Sequence, residues 1–191
     1  MNGLAGIILA AGTSSRFGAE NKLLARYGGQ AMVRRVAEAA LATELDPVIV
    51  VTGHEASGVQ AALSGLDLVF AHNAEFEAGQ AGSLKTGIAA VPQHCTGAMV
   101  LLGDMPDVGA EIINQLLDEF TDKASIVVPL YEGVRGNPVI LGSENFVGLD
   151  NVSGDRGARD LLAGDNVHMV DVVCDAVLRD FDTPESFKDQ N

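Results

Sequence analysis

Two cations and a turn of small residues follow the first apolar run of the chain. Residues 7–9 are Ile-Ile-Leu, Gly12 comes three residues later, and Arg16 and Lys22 follow. A small-residue turn after a buried strand lets backbone N–H groups face an anion, and the cations add positive charge beside it. The spacing matches neither G-x-x-x-x-G-K-[ST] nor G-x-G-x-x-G. We interpret the segment as a phosphate cradle, with a plain strand-to-helix connection as the alternative.

A carboxylate ends another apolar run. Asp104 follows residues 99–102 and Gly103 and precedes Met105-Pro106, so the predicted strand stops abruptly with Asp104 at its tip. Mg²⁺ prefers one or two protein carboxylates, completed by water and phosphate oxygens. The pattern predicts a magnesium ligand, with a turn aspartate that accepts from local N–H groups as an equal alternative. Asp107 is interpreted as a solvated or helix-capping residue.

A second acidic pair closes the last predicted strand. Asp180 and Asp182 are two residues apart, so on a strand both carboxylates share one face, which suits a cation. Asp182 is the favoured member because it is nearest the following loop. Thr183, Pro184 and Glu185 also form a good helix start, and both interpretations are compatible.

Other segments offer backbone donors or cations. Residues 79–87 combine glycines with a helix start whose free N–H groups suit a base, a ribose or a phosphate, and Ser83 as a plain N-cap is the alternative. Three arginines occur in short segments that also contain glycine: Arg135, Arg156 and Arg159. Their planar donors suit phosphate, although surface ion pairs are the commoner outcome.

Size and charge limit the classes of function. A chain of 191 residues with a net charge of −14 predicts one domain that binds neither nucleic acid nor an anionic membrane. Residues 1–95 hold 6 basic and 8 acidic groups, against 6 and 18 in residues 96–191, so the acidic half is available for a metal. We expect a cytoplasmic protein without a signal peptide, with Cys95 and Cys174 reduced and no zinc site among the histidines.

Apolar runs and helical periodicities alternate, which predicts an α/β fold with a parallel sheet. Strands are expected at 4–9, 47–52, 66–71, 98–102 and 125–129, and helices at 31–42, 54–63, 83–91 and 110–120. Beyond Pro129 we expect an extended excursion over 131–142, a helix over 155–163 and strands over 167–172 and 176–181, decorating the sheet edge. In such folds the ligand lies beyond the carboxyl ends of the strands.

The motifs, in their order along almost the whole chain, resemble the molybdenum cofactor nucleotidyltransferases, and the nearest branch is the cytidylyltransferases. They are Leu9-Ala-Ala-Gly12 with Arg16 and Lys22, Gly82-Ser-Leu84, Leu102-Gly-Asp-Met-Pro106, Arg135-Gly-Asn-Pro138, Gly154-Asp-Arg-Gly-Ala-Arg159 and Asp182-Thr-Pro184. The resemblance implies a Rossmann-like nucleotidyltransferase fold, mostly parallel, with helices on both faces. It also implies Mg²⁺-dependent transfer of CMP from CTP to a molybdopterin-type acceptor, with release of pyrophosphate.

The same resemblance implies a role for each matching position. Nucleotide binding falls to Leu9, Ala10, Ala11, Gly12, Arg16, Lys22, Gly82, Ser83 and Asp104. Catalysis falls to Arg16, Lys22 and Asp104, the metal to Asp104 and Asp182, and the acceptor to Arg135, Asn137, Arg156 and Arg159. Ala11 favours CTP, because guanylyl relatives read Leu-Ala-Gly-Gly. Asn137 and Phe181 depart from the branch, which often has histidine and isoleucine there, and Asn137 leaves the acceptor open.

Three other functions are alternatives to this interpretation. One is a nucleotidyltransferase that uses GTP, or that accepts another small-molecule phosphate such as a sugar phosphate or methylerythritol phosphate. Another is a non-catalytic nucleotide-binding or chaperone-like protein that hands a cofactor to an apoenzyme. The third, a nicotinamide-dependent oxidoreductase, is disfavoured because the chain lacks G-x-G-x-x-G.

Overall fold

The computed structural model describes residues 3–14, 17, 21–151 and 166–181. Within these ranges the strands are β1 Leu4–Ala10, β2 Arg26–Tyr27, β3 Gln30–Ala31, β4 Val48–Thr52, β5 Val69–His72, β6 Gly97–Leu102, β7 Ile126–Tyr131, β8 Val134–Arg135, β9 Val139–Gly142 and β10 Val167–Asp171. The α-helices are α1 Met32–Leu41, α2 Ala56–Ala62, α3 Gln80–Ala89 and α4 Ala110–Asp118. Short 3₁₀ helices cover Lys22–Leu24, Phe76–Ala78, Ser143–Asn151 and Asp175–Leu178.

Eight strands form one mixed sheet in the order β10-β7-β9-β6-β1-β4-β5, with β8 paired to β7, and β2 with β3 forms a separate hairpin. Strand β1 is parallel to β4 and β6, β4 to β5, and β7 to β10. Only β8 and β9 run antiparallel to their neighbours within the described part of the sheet. The predicted α/β class and mostly parallel sheet are confirmed.

Side chains of the central strands alternate between two apolar layers, as the two-residue period of a strand requires. On one face Ile8 and Val50 pack in the cluster that includes Val33 of α1 and Ile113 of α4. On the other face Ile7 packs in the cluster that Ile88 of α3 covers. Helices therefore lie on both faces of the sheet. Among the described residues, no helix is long and apolar enough to cross a membrane.

Two predictions about the later part of the chain are wrong. Residues 131–142 are not an excursion at the edge, because β9 within them is fully buried between β6 and β7. Residues 176–181 are not a strand, because Asp175–Leu178 forms a 3₁₀ helix that buries Ala176 and Val177. Short apolar runs do not distinguish a strand from a helical turn by periodicity. The helix predicted over 155–163 lies outside the described residues.

The earlier elements are confirmed with shifted ends. Helix α3 begins at Gln80, three residues before the predicted start, and its N-cap is Gly79 with φ 108°. Glycine adopts this backbone conformation without a steric penalty, so the chain turns into the helix there. Since β1, β4, β6 and β7 all run the same way, their carboxyl ends lie along one edge of the sheet, which we call the carboxyl edge.

Candidate active site

A lysine and an aspartate that are far apart in sequence meet at the carboxyl edge. Lys22 Nζ donates to Asp104 Oδ2 at 2.6 Å, and the two side chains are only 14% and 17% exposed. Asp104 follows β6, and Lys22 opens the short helix Lys22–Leu24. Charge-assisted hydrogen bonds of this length are strong, and partial burial weakens screening by water. The turn-aspartate alternative loses support, since the contact of this carboxylate is a distant cation.

The pairing of β1 with β6 explains why the two residues meet. Leu9 lies opposite Leu102 in the parallel ladder, and the Gly103 N–H donates to the Leu9 carbonyl oxygen at 3.0 Å. A Cβ at position 103 would lie 3.0 Å from that oxygen and 3.3 Å from Leu23 Cδ2. Contacts this short force a neighbour to move. Glycine at 103 therefore lets the Asp104 loop lie directly against the end of β1.

The turn after β1 differs in one respect from the sequence interpretation. The left-handed residue of the described turn is Ser14, with φ 53°, whereas Gly12 does not adopt a positive φ. Ser14 Oγ accepts from the Lys22 backbone N–H at 3.2 Å and lies 3.3 Å from Asn21 Oδ1. The turn is thus fixed onto the Lys22 helix by side-chain bonds. A Cβ at Gly12 would meet nothing within 4 Å, so bulk is not excluded there.

Asn21 is a residue that the sequence interpretation passed over. Its side chain is 5% exposed, and its Oδ1 accepts from the Leu23 N–H at 3.0 Å as the N-cap of the short helix. Its Nδ2 is buried and has no hydrogen-bond partner in the part of the chain that is described. A buried amide donor without a partner is costly, so such a group is a candidate for contact with a ligand oxygen. The signal in the sequence was asparagine immediately before a helix.

Gly82 and Ser83 lie against Asn73, near the carboxyl end of β4. Both lie within the first turns of α3, so Ser83 is not the N-cap of that helix. The Ser83 hydroxyl accepts from Asn73 Nδ2 at 3.1 Å in a buried contact, and the Asn73 backbone N–H donates to the Thr52 carbonyl at the end of β4. A Cβ at Gly82 would lie 3.3 Å from Asn73 Nδ2. This pair is therefore anchored beside β4 and β5 through Asn73.

The predicted acceptor residues are only partly described. Arg135 is exposed on β8, and the Asn137 N–H donates to the Val177 carbonyl at 2.9 Å. Pro138 lines a small apolar pocket together with Leu102 and Met105, which places the 135–138 segment at the carboxyl edge. Arg16, Arg156, Arg159 and Asp182 lie outside the described residues.

The structure corrects the interpretation of Asp107 and of the strand at 180–182. Asp107 is not an exposed cap: its side chain is 17% exposed, and its Oδ1 accepts from the Tyr27 hydroxyl at 2.7 Å. Helix α4 has Gly109 as its N-cap. Phe181 follows a 3₁₀ helix and not a strand, so the argument that Asp180 and Asp182 share one strand face does not hold. The Phe181 N–H donates to the Asp104 carbonyl oxygen at 3.3 Å.

The donor chemistry fits a hard divalent cation with few protein ligands. No group of three or more His, Cys, Asp or Glu side chains suited to a metal occurs in the described ranges. Mg²⁺ is commonly held by one or two carboxylates with phosphate and water, and Asp104 supplies one carboxylate at the strand end. Lys22 contacts Oδ2, and a carboxylate has a second acceptor oxygen.

Comparison with known proteins gives the family context. Residues 6–172 match the family model described as a MobA-like NTP transferase domain. The bifunctional protein GlmU of Chromobacterium violaceum is 34% identical over 117 residues, which are 61% of this chain and 25% of that protein. The chain thus spans a quarter to a third of the length of the first curated relatives it matches.

Solved structures resemble the chain over nearly its full length. Rv0371c from Mycobacterium tuberculosis H37Rv has a TM-score of 0.81 at 28% identity, covering 98% of this chain and 97% of that one. The complex of Rv0371c with manganese has a TM-score of 0.72 at 27% identity, covering 89% and 88%. A nucleotidyl transferase from Methanothermobacter thermautotroptrophicus has a TM-score of 0.85 at 24% identity, covering 98% and 95%, which shows the shared fold.

Proposed function

The chain belongs to the MobA-like NTP transferase domain family, and we propose that, as one domain over residues 1–191, it transfers CMP from CTP to a molybdopterin-type cofactor. An oxygen of the acceptor phosphate attacks the α-phosphorus of CTP. The new P–O bond forms as the bond to the bridging oxygen breaks, and pyrophosphate leaves with that electron pair. The product is a cytosine dinucleotide of the cofactor, and a molybdoenzyme or its chaperone is the proposed recipient.

The observation that carries the proposal is the Lys22–Asp104 pair at 2.6 Å. An ammonium group and a carboxylate side by side at the end of parallel strands can bind the two partners that a nucleoside triphosphate brings, its phosphates and its metal ion. An ammonium group has three protons, so Lys22 can keep Asp104 and donate to a phosphate oxygen as well. In a chain of net charge −14, such a local cation offsets the repulsion of an anionic substrate.

The proposed residues act by position and charge. Lys22 and Arg16 hold the phosphates and stabilise the departing pyrophosphate. The turn at residues 9–12 wraps around the nucleotide. Asn21 Nδ2 is added as a buried donor beside them. The second pKa of a phosphate monoester is about 6, so the acceptor is largely ionised at neutral pH and needs no protein base.

Asp104 and Asp182 are proposed to hold the divalent ion, with Mg²⁺ the expected metal. When bound, such an ion supplies neutralising charge for the phosphate oxygens. The manganese complex of the similar Rv0371c supports a divalent metal in this fold. For the acceptor we propose Arg135, Asn137, Arg156 and Arg159, of which Asn137 is bound at the carboxyl edge through Val177.

The choice of CTP rests on Ala11. Its side chain is 3% exposed, and a Cβ built on Gly53 would lie 2.8 Å from the Ala11 Cβ. The His54 N–H also donates to the Ala11 carbonyl at 3.2 Å. Ala11 therefore packs where the turn after β1 meets the loop after β4, and its support for CTP comes from the resemblance to the cytidylyltransferases at this position.

The test is pyrophosphate release measured with CTP, GTP, ATP and UTP, each with molybdopterin, with other small-molecule phosphates and with no acceptor. Release that requires CTP and molybdopterin is the expected result. Release with GTP or with another phosphate identifies the alternative nucleotidyltransferase. Tight CTP binding without any pyrophosphate release identifies the non-catalytic delivery protein instead.

A further inference from the structure

A second polar cluster lies beside Asp104, on the same loop after β6. The Tyr27 hydroxyl donates to Asp107 Oδ1 at 2.7 Å, and Asp107 Oδ2 lies 3.5 Å from Arg179 Nη2. Tyr27 belongs to the β2-β3 hairpin, Asp107 to the loop after β6, and Arg179 to the segment after the helix Asp175–Leu178. Three distant parts of the chain therefore meet at one carboxylate.

The segment that carries Arg179 also contacts Asp104 itself. The Phe181 N–H donates to the Asp104 carbonyl oxygen at 3.3 Å. The Phe181 side chain is 4% exposed, and its ring centroid lies 4.9 Å from that of Tyr27. Residues 179–181 thus contact the backbone of Asp104 through Phe181 and the side chain of Asp107 through Arg179.

The charge on Asp107 makes Arg179 the critical member of this cluster. In the described ranges Asp107 Oδ2 is buried and accepts no hydrogen bond, and the cation within ion-pair distance of it is the Arg179 guanidinium. A carboxylate removed from water is stable only when it is paired. Burial and the bond to Asp107 raise the pKa of Tyr27 to about 12, so its hydroxyl remains a donor throughout the neutral range.

We propose that Asp107 is a positioning residue, which through Arg179 holds residues 179–181 against the loop of Asp104 and so fixes the orientation of the Asp104 carboxylate. This inference rests on the metal role of Asp104 in the proposed function.

Two substitutions remove the charge pair from opposite sides. Asp107→Asn keeps the shape and an oxygen that can accept from Tyr27, but it removes the negative charge that faces Arg179. Arg179→Gln removes the cation, and Arg179→Lys restores it. The matched control is Asp175→Asn, because Asp175 is the other partner of Arg179, at 3.1 Å, but its side chain is 50% exposed. Exposed ion pairs contribute little.

The first measurement is Mn²⁺ affinity in the presence of CTP, read from the electron paramagnetic resonance signal of free Mn²⁺. Loss of a supporting residue typically weakens metal binding by about tenfold or more, which we expect for Asp107→Asn and Arg179→Gln. Arg179→Lys should recover part of the affinity, and Asp175→Asn should bind as the wild type does. Circular dichroism checks that each variant is folded.

The second measurement needs no metal. Hydrogen exchange at the Phe181 amide should be faster in Asp107→Asn than in the wild type, because the bond to the Asp104 carbonyl is less well held. Wild-type protection in Asp107→Asn, or wild-type Mn²⁺ affinity in both charge-removing variants, overturns the positioning role alone. Equal Mn²⁺ binding by the wild type and Asp104→Asn overturns the proposed metal site, and the positioning role with it.

Discussion

The contact between Lys22 and Asp104 should appear as a coupling energy in the free energy of unfolding. The two atoms are 2.6 Å apart, which corresponds to an attraction of about 6 kcal/mol at an effective dielectric constant of 20. Desolvation and lost side-chain freedom offset most of that attraction. Hydrogen bonds to charged groups retain roughly 1.5–3 kcal/mol, so we expect a coupling of about 2 kcal/mol.

The cycle consists of Lys22→Met, Asp104→Asn and the double variant, each unfolded in urea at pH 7. Each single variant leaves one charge without its partner. The destabilisation of the double variant should therefore be about 2 kcal/mol smaller than the sum of the destabilisations of the two single variants. The control cycle uses Arg34→Met and Glu38→Gln, whose side chains are 29% and 40% exposed. Its coupling should be about 0.3–0.5 kcal/mol. If the destabilisation of the double variant equals the sum of the two single effects within about 0.5 kcal/mol, the pairing is refuted.

Further predictions concern turnover, the loop after β6 and high pH. Asp104→Asn should lower turnover by about 10²–10³-fold, by analogy with the loss of one contact to transition-state charge, and near-normal turnover at saturating Mg²⁺ would contradict its proposed role. Gly103→Ala should destabilise the fold by about 1–3 kcal/mol and reduce Mn²⁺ binding, because its Cβ would lie 3.0 Å from the Leu9 oxygen. Gly3→Ala is the control, because its new Cβ would lie at an ordinary distance of 3.7 Å from the Asp46 carbonyl oxygen, and equal effects of the two substitutions would sink the argument. The pKa of Tyr27 is raised from 10.0 to about 12, so its contribution to stability is fully present below pH 10 and is lost between pH 10 and 12. The free energies of unfolding of the wild type and Tyr27→Phe, measured in urea, should therefore differ by roughly 1 kcal/mol less at pH 11 than at pH 9. A difference that does not change with pH would count against the burial of this phenol.

The elements with strong patterns were predictable from the sequence because their chemistry is local. Five parallel strands, β10 and four helices follow from apolar runs and helical spacing, with ends shifted by up to three residues. The carboxylate at the end of β6 was also predictable, because an apolar run followed by Gly-Asp-Met-Pro ends a strand. These features need no information about distant residues.

The errors fall where a local pattern has several tertiary outcomes. Strand β9 is only four residues long, and its place between β6 and β7 depends on pairing partners that lie up to 45 residues earlier, as the pair Gly97 and Gly142 shows. From the sequence Asp107 is interpreted as a solvated or helix-capping residue, because aspartate usually lies in water or at the start of a helix. Only the approach of Tyr27 and Arg179, 80 residues before it and 72 after it, makes it a largely covered, paired carboxylate.

By itself the sequence determined the alternating α/β pattern, the charge balance and the types of residue at the strand ends, because these are properties of neighbouring positions. Only the tertiary structure decided that Lys22 and Asp104 touch, that Ser14 and Asn21 fix the turn after β1, and that residues 179–181 lie on the Asp104 loop. The physical reason is that sheet order and chain crossing set which strand ends are neighbours, and hydrogen bonds and ion pairs form only between groups brought within about 3 Å.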